Sequence, residues 1–582
     1  MVWGFVFFLF SSTRMDNANV SSISLHSILY SGNGRSKSMR HHLHIDIASL
    51  FFGNSIQTLA FLLLASALFF YLQSGKSESQ SQKHAHDLPP GPQPWPVVGN
   101  LPELMYKAPG YKWLHSLLHN YATPILCVRL GSVHVVAVNS PEIAREFLKK
   151  QDAIFQSRPI TMGTGYSSRG FLSIAVVPWG EQWKKMRRVV ASEVLSPARL
   201  KWLQSKRMEE ADNLVRYVWR RCTCKSPGEA TGLVNVRNVG RHYCANVIRK
   251  LTFNRRYFGN GAANKDGGPG AEEEEHVEAL FAVLGLLYNM CVSDYMPCLR
   301  RLDIGGNERA MKKAIRIVDK YHLPIIEERF RLRRGSSFSS ANAGEPQDLL
   351  DVLISVKDSV HGTPLLSLEE IKSQVADLTY ASVDNPSNAT EWALAEMLVQ
   401  PQIMQKAVEE IDRVVGKDRL IEESDLSNLK YLRACAKEAF RLHPVAPFNL
   451  PHMSMEDTTV AGYHIPKGSH VLLSRVGLGR NPCVWEDPLR FCPDRFMKDE
   501  GDIELGDPEL RLISFSTGRR GCIGAALGSS MTVMLLGRLL HCFDWSTSCL
   551  APIELEEGSA DLFMANPLQA IATPRLPNHL YP

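Results

Sequence analysis

Cysteine is sparse in this chain and poorly arranged for cross-linking. Twelve cysteines are scattered over 582 residues with no Cys-x-x-Cys pair, and Cys222-Thr223-Cys224 is the tightest spacing. That excludes a disulfide scaffold and fits a body kept in a reducing compartment. Charge of one sign is also scarce: the net charge is only +5, and it is dispersed. This excludes nucleic acid as the main partner. No internal repeat is present, which excludes a solenoid. What remains is an ordinary globular composition, 45% hydrophobic and 21% charged, in a chain long enough for a large core.

One long uncharged run is present. No charged side chain occurs from Ile47 to Leu72, so residues 45–72 are expected to form a single transmembrane anchor. A cleaved signal peptide is the alternative, although no small-residue cleavage site follows cleanly. Flanking charge leaves the orientation open, with Arg35, Lys37 and Arg40 before the run and Lys76 and Lys83 after it. Residues 1–44 begin with a short apolar run and continue Ser-rich and polar. They are either a lumenal extension, in which Asn19 would head a glycosylation sequon, or sequence upstream of a true start at Met15 or Met39. Residues 73–96 are a polar linker ending in the prolines of Leu88 to Pro96, which fix φ and forbid helix, so a stiff spacer is expected.

Residues 97–582 read as one large, mainly helical domain with small β-sheets. Ile125 to Val138 alternates about Gly131 as a hairpin does. Pro178 to Leu195 carries a helix rich in Trp, Lys and Arg. Residues 261–275 are Gly-rich and then acidic, the pattern of an exposed loop and helix start. Ser367 with Glu370 forms a capping-box signature, and the helix it opens is expected to run to about Gln400.

Phe515 to Gly524 (FSTGRRGCIG) is the organising stretch. Gly518 and Gly521 permit sharp turns beside a flat group. Cys522 precedes an apolar helical run from Ala525 to Leu540, and a helix N-terminus favours an anionic sulfur. The pattern presents one thiolate to a haem iron, the ligand that favours O–O cleavage. Phe515 would cover the sulfur, and Arg520 would pair with a haem propionate. Trp183 and Arg187 fall on one helical face at i, i+4 and would also reach propionates. Glu438 and Arg441, at i, i+3, would combine with Arg495 in a buried network that locks the cysteine loop and does no chemistry.

Together the proline hinge, Trp183/Arg187, Glu438/Arg441, Arg495 and the cysteine loop resemble the cytochrome P450 monooxygenases, from about Pro89 to Pro582. More narrowly, Asp384 to Ala393 (DNPSNATEWA), Phe440 to His452 (FRLHPVAPFNLPH) and the cysteine loop look like the plant amino acid N-monooxygenases, which make aldoximes. Most members of the wider family have an acid–Thr pair over the haem. Here Asp384-Asn385 is followed by Pro386 and the threonine is absent, the variant that the N-monooxygenases carry. A proline removes one helix hydrogen bond, so a local bulge holding a water is expected. Phe496 stands where that subfamily usually has His.

The resemblance implies the cytochrome P450 fold, with haem b bound through Cys522 and propionates held by Arg520, Trp183, Arg187 and His452. Asp384 and Asn385 would relay protons. Electrons would come from NADPH through NADPH–cytochrome P450 reductase, docking on a basic face of Lys184, Lys185, Arg188, Arg511 and Arg519. The expected substrates are O2 and an L-amino acid, aromatic or branched aliphatic, whose carboxylate would find a donor within Arg158 to Arg169 or near Phe448-Asn449. The expected location is the endoplasmic reticulum membrane, single-pass, with the catalytic domain in the cytosol. Rival readings are a C-hydroxylase of another plant metabolite, a membrane haem sensor without turnover, and a hydroperoxide rearrangement needing neither reductase nor oxygen.

Overall fold

The structure, a computed structural model, describes residues 87–582 apart from 108, 224–230, 257–266, 336–344, 359–360, 498–503 and 548–552. The extension 1–44, the anchor 45–72 and the linker up to residue 86 lie outside the described residues.

Among the described residues, nine short strands accompany a largely helical body. They are β1 (Ile125–Leu130), β2 (Val133–Val138), β3 (Leu233–Asn235), β4 (His452–Met453), β5 (Thr458–Val460), β6 (Tyr463–Ile465), β7 (His470–Leu473), β8 (Phe543–Thr547) and β9 (Gln569–Pro574). They form sheets ordered β1-β2-β7-β4, β3-β9-β8 and β5-β6, antiparallel throughout except for β2 with β7. The hairpin β1-β2 turns at Gly131, where φ is +55° and a Cβ would lie 2.3 Å from the Tyr295 carbonyl oxygen. A side chain is excluded there on both counts.

The helices that build the site are α1 (Glu181–Val189), α2 (Val236–Phe253), α3 (Ala271–Leu287), α4 (Asn307–Gly335), α5 (Leu368–Val399), α6 (Lys430–Leu442) and α7 (Ala525–Cys542). Helix α5 is the axis of the fold. Its 32 residues span about 48 Å. It starts at the expected capping box: Glu370 N–H donates to Ser367 Oγ, and Ser367 N–H donates to Glu370 Oε2 at 2.8 Å. Most of its residues are buried, because α2, α6 and α7 pack around it. At Gly240 on α2 an added Cβ would come within 3.1 Å of Ser387, so α2 crosses α5 almost backbone to backbone beside Pro386. The main apolar core lies among these helices, and two smaller clusters flank the four-stranded sheet.

Two expectations change. The proline stretch is docked rather than free: Cys127 N–H donates to the Pro90 carbonyl at 2.9 Å, and a Cβ on Gly91 would collide with the Cys127 oxygen. Proline lacks a donor but keeps its acceptor, and the edge of β1 uses it. The acidic run opening α3 is not wholly exposed, because Glu273 turns inward and bonds His242 and Asn246 in the gap between α3 and α2.

Candidate active site

Cys522 lies three residues before α7. Its sulfur faces a cavity, so its side chain has accessible surface, yet it is deep in the protein; the surface it presents is cavity wall. The loop is held by its own backbone, with Cys522 N–H donating to the Phe515 carbonyl at 2.8 Å and Gly521 N–H to Gly518 at 3.0 Å. Gly518 has φ +70°, and a Cβ there would lie 2.7 Å from both Asp152 Oδ1 and the Leu148 oxygen. Phe515 lines the cavity and packs edge-on against Phe440 of α6 at 5.7 Å. Burial pushes the Cys522 thiol up, while the Gly524 N–H, Arg475 and Arg187 pull the other way.

The opposing wall is α5. Ala381, Ser382, Asp384, Asn385 and Pro386 all line the same cavity as Cys522. The helix continues through Pro386. The carbonyl that loses its partner is that of Ser382, and the Ser387 hydroxyl bonds the carbonyls of Val383 (2.8 Å) and Asp384 (2.9 Å). In place of the expected local bulge the helix runs on unbroken, with one freed acceptor at the cavity. Asp384 is buried, and its Oδ1 has no hydrogen-bond partner among the described residues. Burial pushes its carboxyl up to about 7, against the pull of Arg241 and Arg475.

The family model for cytochrome P450 matches residues 89–572 of this chain. The chain belongs to the cytochrome P450 family. It is 55% identical over 497 residues to the tyrosine N-monooxygenase of Sorghum bicolor, covering 85% of this chain and 87% of that one. It is likewise 55% identical over 498 residues to the phenylalanine N-monooxygenase of Arabidopsis thaliana (85% and 92%). To the valine N-monooxygenase 1 of Manihot esculenta it is 49% identical over 523 residues (90% and 93%). A zebra fish cytochrome P450, solved with abiraterone, shares the fold at 23% identity with a TM-score of 0.62, over 80% of this chain and 100% of that one.

The cationic residues of this P450 fit a haem with two propionates. Arg520 is buried, and donates through Nε to the Gln156 carbonyl and through Nη2 to that of Val177 (2.8 Å). Its Nη1 has no partner among the described residues. Burial, then Arg158 and Arg187, drive Arg520 down to about 8, so an anion is wanted beside it. His452 donates from Nδ1 to the Phe155 carbonyl (2.7 Å), leaving buried Nε2 without a partner among the described residues. Arg158 crowds both. It holds the Leu450 and Pro451 carbonyls with Nη1, at 2.6 and 2.9 Å, and its Nε is likewise open among the described residues. Trp183 carries the Arg520 guanidinium over its ring at 4.8 Å. Arg187 donates to the Gly521 carbonyl at 2.8 Å, so it also steadies the loop. Cys522 would ligate the iron, and these residues would hold the propionates.

Glu438, Arg441 and Arg495 do meet. Arg441 donates to both Glu438 oxygens (2.7 and 2.8 Å), and Arg495 Nε to Oε1 at 3.0 Å. Their other partners differ from expectation. They are Cys492 N–H and the carbonyls of Gly479, Glu486, Asp487, Pro488 and Arg490, so the network fastens residues 479–495; α6 reaches the cysteine loop through Phe440.

The proposed docking cations divide. Arg188 is exposed, Lys184 is half-exposed beside Glu181 (2.7 Å), and Arg519 pairs with Asp152 at 2.8 Å on the surface. Lys185 is a correction. Its ammonium bonds the buried Glu370 carboxylate at 2.6 Å, because α1 packs against the start of α5. Arg511 is held bidentate by Asp507.

Arg169, within the stretch expected to bind a carboxylate, is paired with Asp319 and Glu369. Among the polar cavity residues that the sequence did not point to are Tyr288, Gln374, Asp377 and Arg475. They come from three distant segments and share no local motif.

Proposed function

We propose that this P450 converts an L-amino acid to its aldoxime through two N-hydroxylations, dehydration and decarboxylation. The observation that carries this is Asp384-Asn385-Pro386 on α5, lining one cavity with Cys522 and lacking the threonine of the acid–Thr pair. The relatives named N-monooxygenases, for tyrosine, phenylalanine and valine, support it. They span aromatic and branched aliphatic side chains, and both classes belong to the proposal.

When bound, haem supplies the activation of O2, with electrons from NADPH through a reductase. The rest falls to the chain. Asp384, poised at about 7, takes up and releases a proton near neutrality. Asn385 and the freed Ser382 carbonyl offer hydrogen bonds beside it. Phe515 limits water at the sulfur. Residues 45–72 anchor the enzyme in the endoplasmic reticulum membrane with its catalytic domain in the cytosol. The reductase docks on the face carrying Lys184, Arg188 and Arg519, without Lys185.

The test uses microsomes containing the full chain, with reductase and NADPH, given L-tyrosine, L-phenylalanine, L-tryptophan, L-valine and L-isoleucine in turn. The expected result is a blue shift of the Soret band and an aldoxime product with one or a few of them. An intact thiolate–carbon monoxide spectrum, with no shift and no aldoxime from any, sinks the proposal and leaves C-hydroxylation.

A further inference from the structure

Arg475 differs from the other arginines at the cavity. Arg158, Arg187 and Arg520 each donate to backbone carbonyls. The Arg475 side chain makes no hydrogen bond or ion pair among the described residues, and its Nε is buried and open. Yet it lines the cavity with Tyr288, Asp384 and Cys522, whose charges it influences. Asp384 and Cys522 act on it through space, but neither is bonded to it, and a guanidinium with a buried N–H and no bonded acceptor is costly unless a ligand brings one.

Its mount is rigid. Arg475 follows β7, and its N–H donates to the Pro447 carbonyl at 2.9 Å. Ser474 bridges to Phe448, and Asn449 N–H donates to the Leu473 carbonyl at 3.1 Å. Ser474 Oγ is bonded by His115 Nε2 at 2.6 Å, and the His115 ring stacks on Phe448 at 4.9 Å. This antiparallel register puts Asn449 and Arg475 on the same face, as diagonal neighbours. The Asn449 side-chain oxygen, Oδ1, accepts from Leu473 N–H at 3.1 Å. Its amide nitrogen is buried, lines the cavity and has no partner among the described residues. Two open donors, one charged and one neutral, therefore line one cavity from either side of a single antiparallel bridge, Phe448 with Ser474.

We propose that Arg475 and the Asn449 amide bind the α-carboxylate of the substrate. A carboxylate has two oxygens for two such donors, and a planar guanidinium is its strongest partner in a dry site. The α-nitrogen is two bonds from the carboxylate carbon, so holding the carboxylate limits where the nitrogen can lie. Arg158 is set apart from this role by its place among Arg520 and His452, where propionate charge is to be balanced.

This inference rests on the amino-acid reading above, and one experiment separates the two. Full-length wild type, Arg475→Gln and Arg475→Lys are titrated with the five amino acids and with the methyl ester of each, following the Soret shift. Haem content and the thiolate–carbon monoxide band are measured alongside. The wild type is expected to prefer acid over ester. Arg475→Gln is expected to weaken acid binding about 10- to 100-fold and leave the ester unchanged, so that the preference collapses. Arg475→Lys should restore part of it. Haem content should not move. Equal loss for acid and ester, or no loss, overturns the assignment. A fall in haem content, with the remaining holoenzyme still preferring the acid, places Arg475 on a propionate and overturns it as well. A wild type that responds to none of the amino acids overturns the amino-acid reading itself, and this assignment with it.

Discussion

Two clusters of buried charged groups in this protein are finished differently. In the Glu438–Arg441–Arg495 cluster Glu438 Oε1 accepts three hydrogen bonds, Oε2 accepts one, and Arg441 donates to three backbone carbonyls besides. At the cavity, Asp384 Oδ1, Arg475 Nε, the Asn449 amide nitrogen and Arg520 Nη1 have no partner among the described residues, and neither has His452 Nε2, which Arg158 crowds together with Arg520. Buried polar groups are normally satisfied, so a run of open ones marks where something else binds. The closed cluster holds residues 479–495 in place, and the open one is shaped for haem and substrate.

Breaking the closed cluster should have the largest effect. Glu438→Ala leaves Arg441 charged, fully buried and without its carboxylate. A loss of about 3–5 kcal/mol of stability is expected, seen as lower holoprotein yield and an earlier denaturation midpoint. If the variant unfolds like the wild type, the cluster does not support the fold.

A change in the open cluster should spare the fold and alter chemistry. Asp384→Asn is expected to cut turnover about 100-fold while leaving haem content unchanged. The pH profile sharpens the point. Burial raises this carboxyl from its ordinary 3.8 to about 7. Its contribution to stability is thus complete below 3.8 and is lost as pH rises through about 7. The wild-type rate should inflect near 7, and Asp384→Asn should flatten that limb and remove the matching slope in stability. An unchanged profile would exclude Asp384 as the proton carrier.

The smallest effects belong to the surface. Arg188→Glu should weaken reductase coupling about two- to fivefold at low salt, and added salt should erase the difference. Lys185→Gln should leave coupling unchanged and lower thermal stability, because the buried Glu370 carboxylate loses its cationic partner. The reverse ranking would return Lys185 to the docking face.

What could be read from the chain was local or carried by a motif. The capping box at Ser367 located the start of α5 to the residue, since both partners lie within one turn. The hairpin at Gly131 showed in its alternation. The glycines of the cysteine loop announced a turn that the structure makes at Gly518. Glu438, Arg441 and Arg495 were grouped correctly, but their carbonyl partners were not, because backbone acceptors leave no mark in sequence. Lys185 leaves the docking face for a related reason: a basic helix face looks solvated until the helix packed against it is known to carry Glu370.

The sequence alone determined a thiolate loop before an apolar helix, an Asp-Asn-Pro turn of α5, and the buried carboxylate–guanidinium set. These are short-range patterns whose chemistry does not wait on the fold. The tertiary structure decided which cations stay open, that Asp384 is held near neutrality, and that Arg475 and Asn449 share a face. Those are properties of burial and register, and they arise only when segments distant in sequence exclude water from one another.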